Sequence, residues 1–472
     1  MSAESPGYPP NISESAEEPL YEIQKKIYAR SVSGRFATWR WVLVWLTQLV
    51  YYGFCWLPWN GRQAVLFDLV ERKFYIFGLI LWPQDVFFLA VLLIICAYAM
   101  FLFTAVGGRL WCGYACPQTV YTELFMWIEQ VFEGDRNARM RLDQAPMNAE
   151  KFIRKTGKYS SWILLSAWTG FTLVGYFTPV KTLWGSFWSF NLGPWESFWI
   201  FFYGGFTYLL AGHLREQVCK YMCPYARFQG VMFDPDTLVI TYDEERGEPR
   251  GPRSKKIDYR QQGLGDCVDC GLCVAVCPTG IDIRQGLQYE CIGCAACIDA
   301  CDQVMDKMGY PMGLIRYSTE HAVEQHWGWK DILGHIIRPR VVIYSAVLAA
   351  ICIAFAWGLA TKPSLRVDVI RDRATLSREV EDGLIENVYR LQVMNVSEQP
   401  QTFHIEVEGL PGIHLEGIRT VAVGPASVVP VTIQIRAPLD SGKRGANRIH
   451  INVASPTDDK ARVHEKATFF LP

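Results

Sequence analysis

Apolar residues fall into two patterns along this chain: long unbroken runs before residue 361, and strict alternation with polar residues after it. A mostly apolar run of about 18 residues or more suits a helix that crosses about 30 Å of hydrocarbon. Five runs qualify, roughly 41–58, 86–106, 161–180, 197–214 and 341–361. The stretch "FYIFGLILW" (74–82) is too short to cross and reads as a re-entrant or interfacial segment. Beyond the fifth run, "SLRVDVIRD", "NVYRLQVMNVS", "TFHIEVEGL", "SVVPVTIQIRAP" and "NRIHINVAS" alternate between Gly, Pro and Asp turns. That period of two, at this spacing, predicts an immunoglobulin-like β-sandwich over 363–472.

Charge orients the runs. Lys and Arg number five in 1–40, eight in 107–160 and fifteen in 215–340, against three in 59–85 and one in 181–196. Basic loops stay in the cytoplasm, so the 215–340 segment is expected there and the sandwich outside. The expected fold is a multi-domain membrane protein: a polar cytoplasmic tail (1–36), a four-span domain (37–225), a cytoplasmic ferredoxin-type domain (226–338), a fifth transmembrane helix (339–362) and the sandwich (363–472). The N-terminus lacks a basic region followed by an apolar core and does not read as a signal peptide.

Composition agrees with a membrane protein, being 50% hydrophobic and 14% aromatic. A net charge of −1, from 46 basic and 47 acidic residues, gives no case for nucleic acid as a partner. Fifteen cysteines would suggest disulfides in a small secreted chain, but none lies beyond Cys352, and eight fall into a metal-binding pattern in the segment assigned to the reducing compartment.

"CVDCGLCVAVCP" and "CIGCAACIDAC" repeat the C-x2-C-x2-C-x3-C run of bacterial ferredoxins. Three close thiolates wrap one face of a cubane and the fourth reaches to the other cluster. Cys267, Cys270, Cys273 and Cys301 are therefore expected on one 4Fe–4S cluster, and Cys277, Cys291, Cys294 and Cys297 on the second. Two zinc sites would use the same ligand type, but the crossed fourth cysteine favours clusters. Asp302 stands where the second run would have its proline. With every thiolate used, the clusters are electron carriers and the electrons must go elsewhere.

A second cysteine pattern suggests where. Cys112 and Cys116 precede Pro117, and 107 positions later Cys219 and Cys223 precede Pro224. Proline at the first helical position makes Cys116 and Cys223 the caps of "PQTVYTELFMWIEQVF" and "PYARFQGVMF". The positive helix end, with Arg109, Arg215 and Lys220 nearby, is expected to lower the thiol pKa. Soft thiolates suit Cu(I). Three readings stay open for these four residues: copper-handling redox thiols, structural cysteines, or ligands of an extra iron–sulfur cluster. His213 is a further candidate ligand for copper or a quinone. Cys55, Cys96 and Cys352 read as packing residues, and His321, His326 and His335 lack the spacing of a helical ligand pair. His404, His414, His450 and His464 read as ordinary sandwich residues. "WPQD" (82–85), with Arg62, Arg72 and Lys73, either lines a quinol site on the outer face or anchors the loop.

The order of these features resembles the CcoG/FixG/RdxA family of membrane polyferredoxins. The matching residues are "GRQAVLFDLVERKFY", "WPQD", "WCGYACPQTV", "CKYMCPYARFQ", the doubled cysteine run, "GLIRY" at 313–317 and the sandwich tail. The thiol pairs also occur in related membrane subunits of periplasmic nitrate and nitrous-oxide reduction; five spans with the sandwich favour this family. The resemblance implies a multi-pass protein of the bacterial inner membrane that reduces Cu(II) to Cu(I) for the copper site of cbb3-type cytochrome c oxidase. It implies oxidase subunits or copper chaperones as partners, an unidentified electron donor and a possible homodimer. A quinol-linked conduit to a soluble partner, and a redox-sensing assembly scaffold, are the alternatives.

Overall fold

The computed structural model describes residues 26–255, 261–372, 376–380, 383–458 and 461–472. Most of the tail expected over 1–36 lies outside them. Its last part is no free tail: Lys26 and Tyr28 bind Asp143 at 2.7 and 2.6 Å, and the Arg30 amide donates to Ala275 O at 2.8 Å. This strap ties the ferredoxin region to the 136–144 helix.

Each expected span is helical, with bounds set by local breakers. The first helix, Arg35–Gly53, stops short of 58 because Pro58 and a turn at Asn60 and Gly61 follow. The Ala149–Gly175 helix ends before Pro179. Pro194–Thr207 continues to Leu214 only as π-helical turns. Two segments, Pro83–Gly107 (25 residues) and Pro339–Ala360 (22 residues), are long and apolar enough to cross a membrane, and they leave their apolar faces uncovered. They pack on each other, Phe88 meeting Phe355 edge to face at 6.0 Å. Ala149–Gly175 and Pro194–Thr207 pack backbone to backbone: a Cβ on Gly170 would sit 2.3 Å from Ile200 O.

Residues 74–82, expected to be re-entrant or interfacial, belong to a small sheet. Val65–Asp68, Lys73–Ile76 and Leu79–Leu81 form an antiparallel sheet, with Phe77 at positive φ in the second turn. An apolar run of nine with one internal glycine fits a hairpin as well as a helix.

The sandwich has two sheets. In one the order is His414–Glu416, Val428–Pro438, Leu384–Asn395, Leu365–Arg371; in the other Thr420–Val423, Gln401–Glu408, Gly445–Ala454, Arg462–Leu471. Inward residues of both, among them Tyr389, Leu391, Phe403, Ile451 and Phe469, make one fully buried core. All five expected strands are present. Pattern reading missed Arg462–Leu471, where charges alternate along a mostly half-exposed strand.

"WPQD" holds the sandwich. Trp82 packs with Ile80 against Met394 and Val396. Asp85, 3% exposed, takes Lys362 at 2.7 Å and also pairs with Arg366. Arg62 pairs with Glu398 at 2.5 Å and lies over the Tyr75 ring. Of the two readings of this element, the anchoring one describes these contacts.

Candidate metal centres

The cysteine loops hang on a small frame. Val239–Tyr242 pairs antiparallel with Ile315–Ser318, which contains most of "GLIRY", over a core of Ile240, Ile283, Ile298, Met305 and Leu314. In each run the residue after the second cysteine is left-handed, Gly271 at φ 63° and Ala295 at φ 60°, and opens a helix carrying the third cysteine. This repeated turn holds the second and third cysteines of each run on either side of it.

The structure brings the thiols together in the crossed sense. Burial first, then Cys294, Cys291 and Cys277, pushes the Cys297 thiol well above its usual range. Burial, followed by Cys273, Asp302, Cys267 and Cys270, pushes Cys301 up to about 12. Each fourth cysteine thus neighbours the other run. All fifteen cysteines are free thiols. Two groups of four soft donors, all but the exposed Cys270 buried or half-buried, on turns of small residues fit a cubane, which, when bound, supplies reversible one-electron storage.

The CxxxCP residues form a third group. Cys116 caps the Pro117–Glu133 helix and Cys223 caps Pro224–Met232, each with proline next. Cys112 has Cys116 and Cys223 as electrostatic neighbours, and Cys219 has all three others. The lowering expected at the helix cap is not found at Cys116. Burial raises Cys112 to about 11, Cys219 to about 12 and Cys116 also, outweighing Arg109 and the helix end. Arg215, expected near the thiols, binds Glu129 at 2.7 Å. Among the described residues, no three His, Cys, Asp or Glu side chains converge closely enough to hold a single metal ion. The quartet is a set of neighbours, not a closed cage.

The His213 ring lies among aromatic side chains, 5.1 Å from Tyr208 and 6.1 Å from Trp162. His321 pairs with Asp236 at 2.8 Å, His335 stacks on Trp327 at 4.0 Å and His326 lies 3.6 Å from Glu245. Cys55 is buried among Phe171, Val174 and Leu183; Cys96 is exposed and Cys352 half-buried.

Spacing could not reveal how the quartet meets the second cysteine group. A Cβ on Gly113 would fall 2.8 Å from Gly293 O and 2.9 Å from Cys294 Cα, so the turn between Cys112 and Cys116 rests directly on the Cys291–Cys294 loop. Cys112 and Cys219 pack on Ile292 and Cys294. Arg109, 7% exposed, sutures the contact by donating to the carbonyls of Tyr289, Cys291 and Ala226. Asp299, between Cys297 and Cys301, accepts from the amides of Phe36 and Ala37 and so docks the first helix on the ferredoxin region.

Comparison with known proteins bears on these sites. Residues 214–320 match a 4Fe-4S dicluster domain, 89–134 a 4Fe-4S binding domain, and 355–472 the IG-like fold at the C-terminus of FixG. The nitrogen fixation protein FixG of Rhizobium meliloti is 37% identical over 494 residues, covering 96% of this chain and 94% of that one. RdxA and RdxB of Cereibacter sphaeroides are each 39% identical, covering 84% and 87% of this chain and 85% and 87% of their own. A crystal structure of a FixG-related protein from Vibrio parahaemolyticus matches 23% of this chain and 97% of its own, at 23% identity and a TM-score of 0.21. Near-full-length similarity to FixG, RdxA and RdxB, together with the iron–sulfur domains and the FixG-type sandwich, places the chain in the CcoG/FixG/RdxA family, as an iron–sulfur protein of electron transfer.

Proposed function

We propose that the protein is a membrane-bound cupric reductase, in which Cu(II) is the substrate and the quartet Cys112, Cys116, Cys219 and Cys223 receives it. The observation that carries this reading is the backbone contact of Gly113 with Gly293 and Cys294, which sets the quartet against the second cysteine group without an intervening side chain. Cys267, Cys270, Cys273 and Cys301 would hold one cluster, and Cys277, Cys291, Cys294 and Cys297 the other. Cys273 is an electrostatic neighbour of Cys297, so the two groups adjoin. Two soft sulfurs suffice for Cu(I), and Cys116 with Cys223, each at a helix N-cap, are the pair suited to it. His213 is not needed. The Gln229 side chain, 3.4 Å from Cys112 Sγ, hydrogen-bonds that thiol.

The same reading takes the five helices as spans of the bacterial inner membrane, with the ferredoxin region cytoplasmic and the sandwich periplasmic. A reporter fused after Pro472 would then be active only in the periplasm. Cu(I) released in the cytoplasm would serve the copper site of cbb3-type oxidase, through oxidase subunits or copper chaperones, and a homodimer is compatible with this role.

The match of 89–134 to a 4Fe-4S binding domain favours one second reading, a further cluster on the quartet. A Cys116→Ser, Cys223→Ser double variant separates them. Serine is a hard, poor ligand for Cu(I), so the copper reading expects about eight irons per chain in wild type and variant, with Cu(I) binding lost in the variant. About twelve irons in the wild type, falling to about eight in the variant, would give the quartet to a cluster instead.

A further inference from the structure

The two ferredoxin runs build one loop twice. Around the second cysteine of each run the backbone is left-handed on both sides: Asp269 and Gly293 precede it at φ 49° and 69°, and Gly271 and Ala295 follow it at φ 63° and 60°. Aspartate tolerates that conformation better than most side chains. With the backbones alike, the difference between the loops lies in what covers them.

The second loop is covered by the quartet. A Cβ on Gly293 would lie 3.0 Å from Arg109 O, Cys294 is 8% exposed, Ala295 is fully buried, and Cys294 packs with Cys112 and Cys219. The first loop is open. A Cβ on Gly271 would meet nothing within 4 Å, the Asp269 side chain is 43% exposed, and Cys270 is exposed where each of the other seven cysteines is buried or half-buried. Between the loops, Cys273 and Cys297 are electrostatic neighbours. The two groups therefore form one row with unlike ends, Cys294 against the quartet and Cys270 at the surface.

The surface at the Cys270 end belongs to water. A cleft of about 770 Å³ beside Cys270, between the strap and the Arg136–Gln144 helix, has Lys26, Arg30, Asp135 and Arg136 in its lining. Charges of both signs around one cleft are expensive to place in hydrocarbon, so a carrier dissolved in the bilayer has no approach to Cys270 from this side.

We infer that the Cys270 loop is the face at which electrons enter, and that a water-soluble one-electron donor delivers them there. The inference rests on the cupric reductase reading for its direction, because that reading makes the quartet the exit. Electrons balance one for one: each donor molecule loses one electron and each Cu(II) gains one to become Cu(I), with no bond made and no proton taken up.

The test uses the full-length protein, purified anaerobically in detergent with its iron. Cys277→Ser leaves the EPR signal of the first group and Cys301→Ser that of the second. Dysprosium–EDTA, a paramagnetic complex confined to water, should relax the first signal, which then loses its microwave saturation, and should leave the second saturable. Methyl viologen radical, a water-soluble one-electron donor, should be bleached in a fast phase by the wild type and by Cys277→Ser, and Cys301→Ser should lose that phase. Equal relaxation of the two signals, a fast phase kept by Cys301→Ser, or access to the first signal gained only when residues 1–25 are removed would each overturn the inference. Hydroxyl-radical footprinting of the wild type needs no variant: oxidation is expected at 269–272 and protection at 293–296, and equal protection of the two loops overturns the inference. If the first signal is relaxed and viologen is oxidised while Cu(II) leaves the reduced protein unchanged, the cupric reading falls and the entry face stands.

Discussion

Replacing Gly113 with alanine tests whether the quartet bears directly on the second cysteine group. The added methyl would meet Gly293 O at 2.8 Å and Cys294 N and Cα at 2.9 Å. These are backbone atoms with no rotamer to escape into, and ordinary contact begins at 3.4 Å, so the two loops must part by about 0.6 Å. Overpacking of this kind costs about 1–3 kcal/mol. At about 2–4 °C per kcal/mol for a domain of this size, the melting temperature in detergent should fall by roughly 2–12 °C. Gly293→Ala wedges the same contact from the other side, where Arg109 O lies at 3.0 Å, and adds the strain of a residue at φ 69°. Once either methyl has parted the loops the other costs less, so a double-mutant cycle should show coupling of about 0.5–3 kcal/mol. Gly205→Ala is the control: it lies inside a helix with nothing within 4 Å and should be neutral or slightly stabilising. An unchanged melting temperature for Gly113→Ala, or strict additivity with Gly293→Ala, would refute the contact.

Three further outcomes follow from other parts of the molecule. Cys277→Ser should damage the cluster beside Cys291 and spare the one beside Cys267, as read by EPR; loss of the Cys267 signal alone would show that the pairing is local. Asp85→Asn leaves buried Lys362 without its counter-charge, costing about 3–5 kcal/mol at the sandwich junction, and should expose the 361–364 linker to protease. Against the push of burial, hydrogen bonds from Lys155, Lys26 and Tyr28 hold Asp143 well below its ordinary 3.8. A depressed carboxylate stabilises above its unfolded pKa and loses that contribution as pH falls through the folded one, so hydrogen exchange over 26–31 should accelerate only below about pH 4. Asp143→Asn should remove this dependence; acceleration already at pH 6 would contradict it.

What was legible in the sequence followed local rules. Alternation gave the sandwich strands, because each side chain on a strand has one face to choose. The ferredoxin spacing marked the eight cysteines that the structure gathers in two neighbouring groups, because a cubane constrains chain geometry over a dozen positions. Proline after cysteine gave the caps at Cys116 and Cys223. What failed or was missed depends on tertiary packing. Residues 74–82 have a hydrophobicity that fits hairpin and helix alike, and only pairing with 65–68 decides between them. The Cys116 thiol went the wrong way because burial, which no spacing reveals, outweighs the amides of the helix end.

The central claim is that electrons stored at the ferredoxin cysteines pass to Cu(II) at the quartet. It is tested most directly by reducing anaerobically purified full-length protein with limiting dithionite, adding Cu(II), and following the iron–sulfur absorbance with a Cu(I)-specific chelator present. The account predicts one Cu(I) trapped per electron stored in the wild type, and no copper-dependent reoxidation in the Cys116→Ser, Cys223→Ser variant that keeps its iron. Clusters that stay reduced in the wild type after Cu(II) is added, or that reoxidise equally fast in the variant, would contradict it.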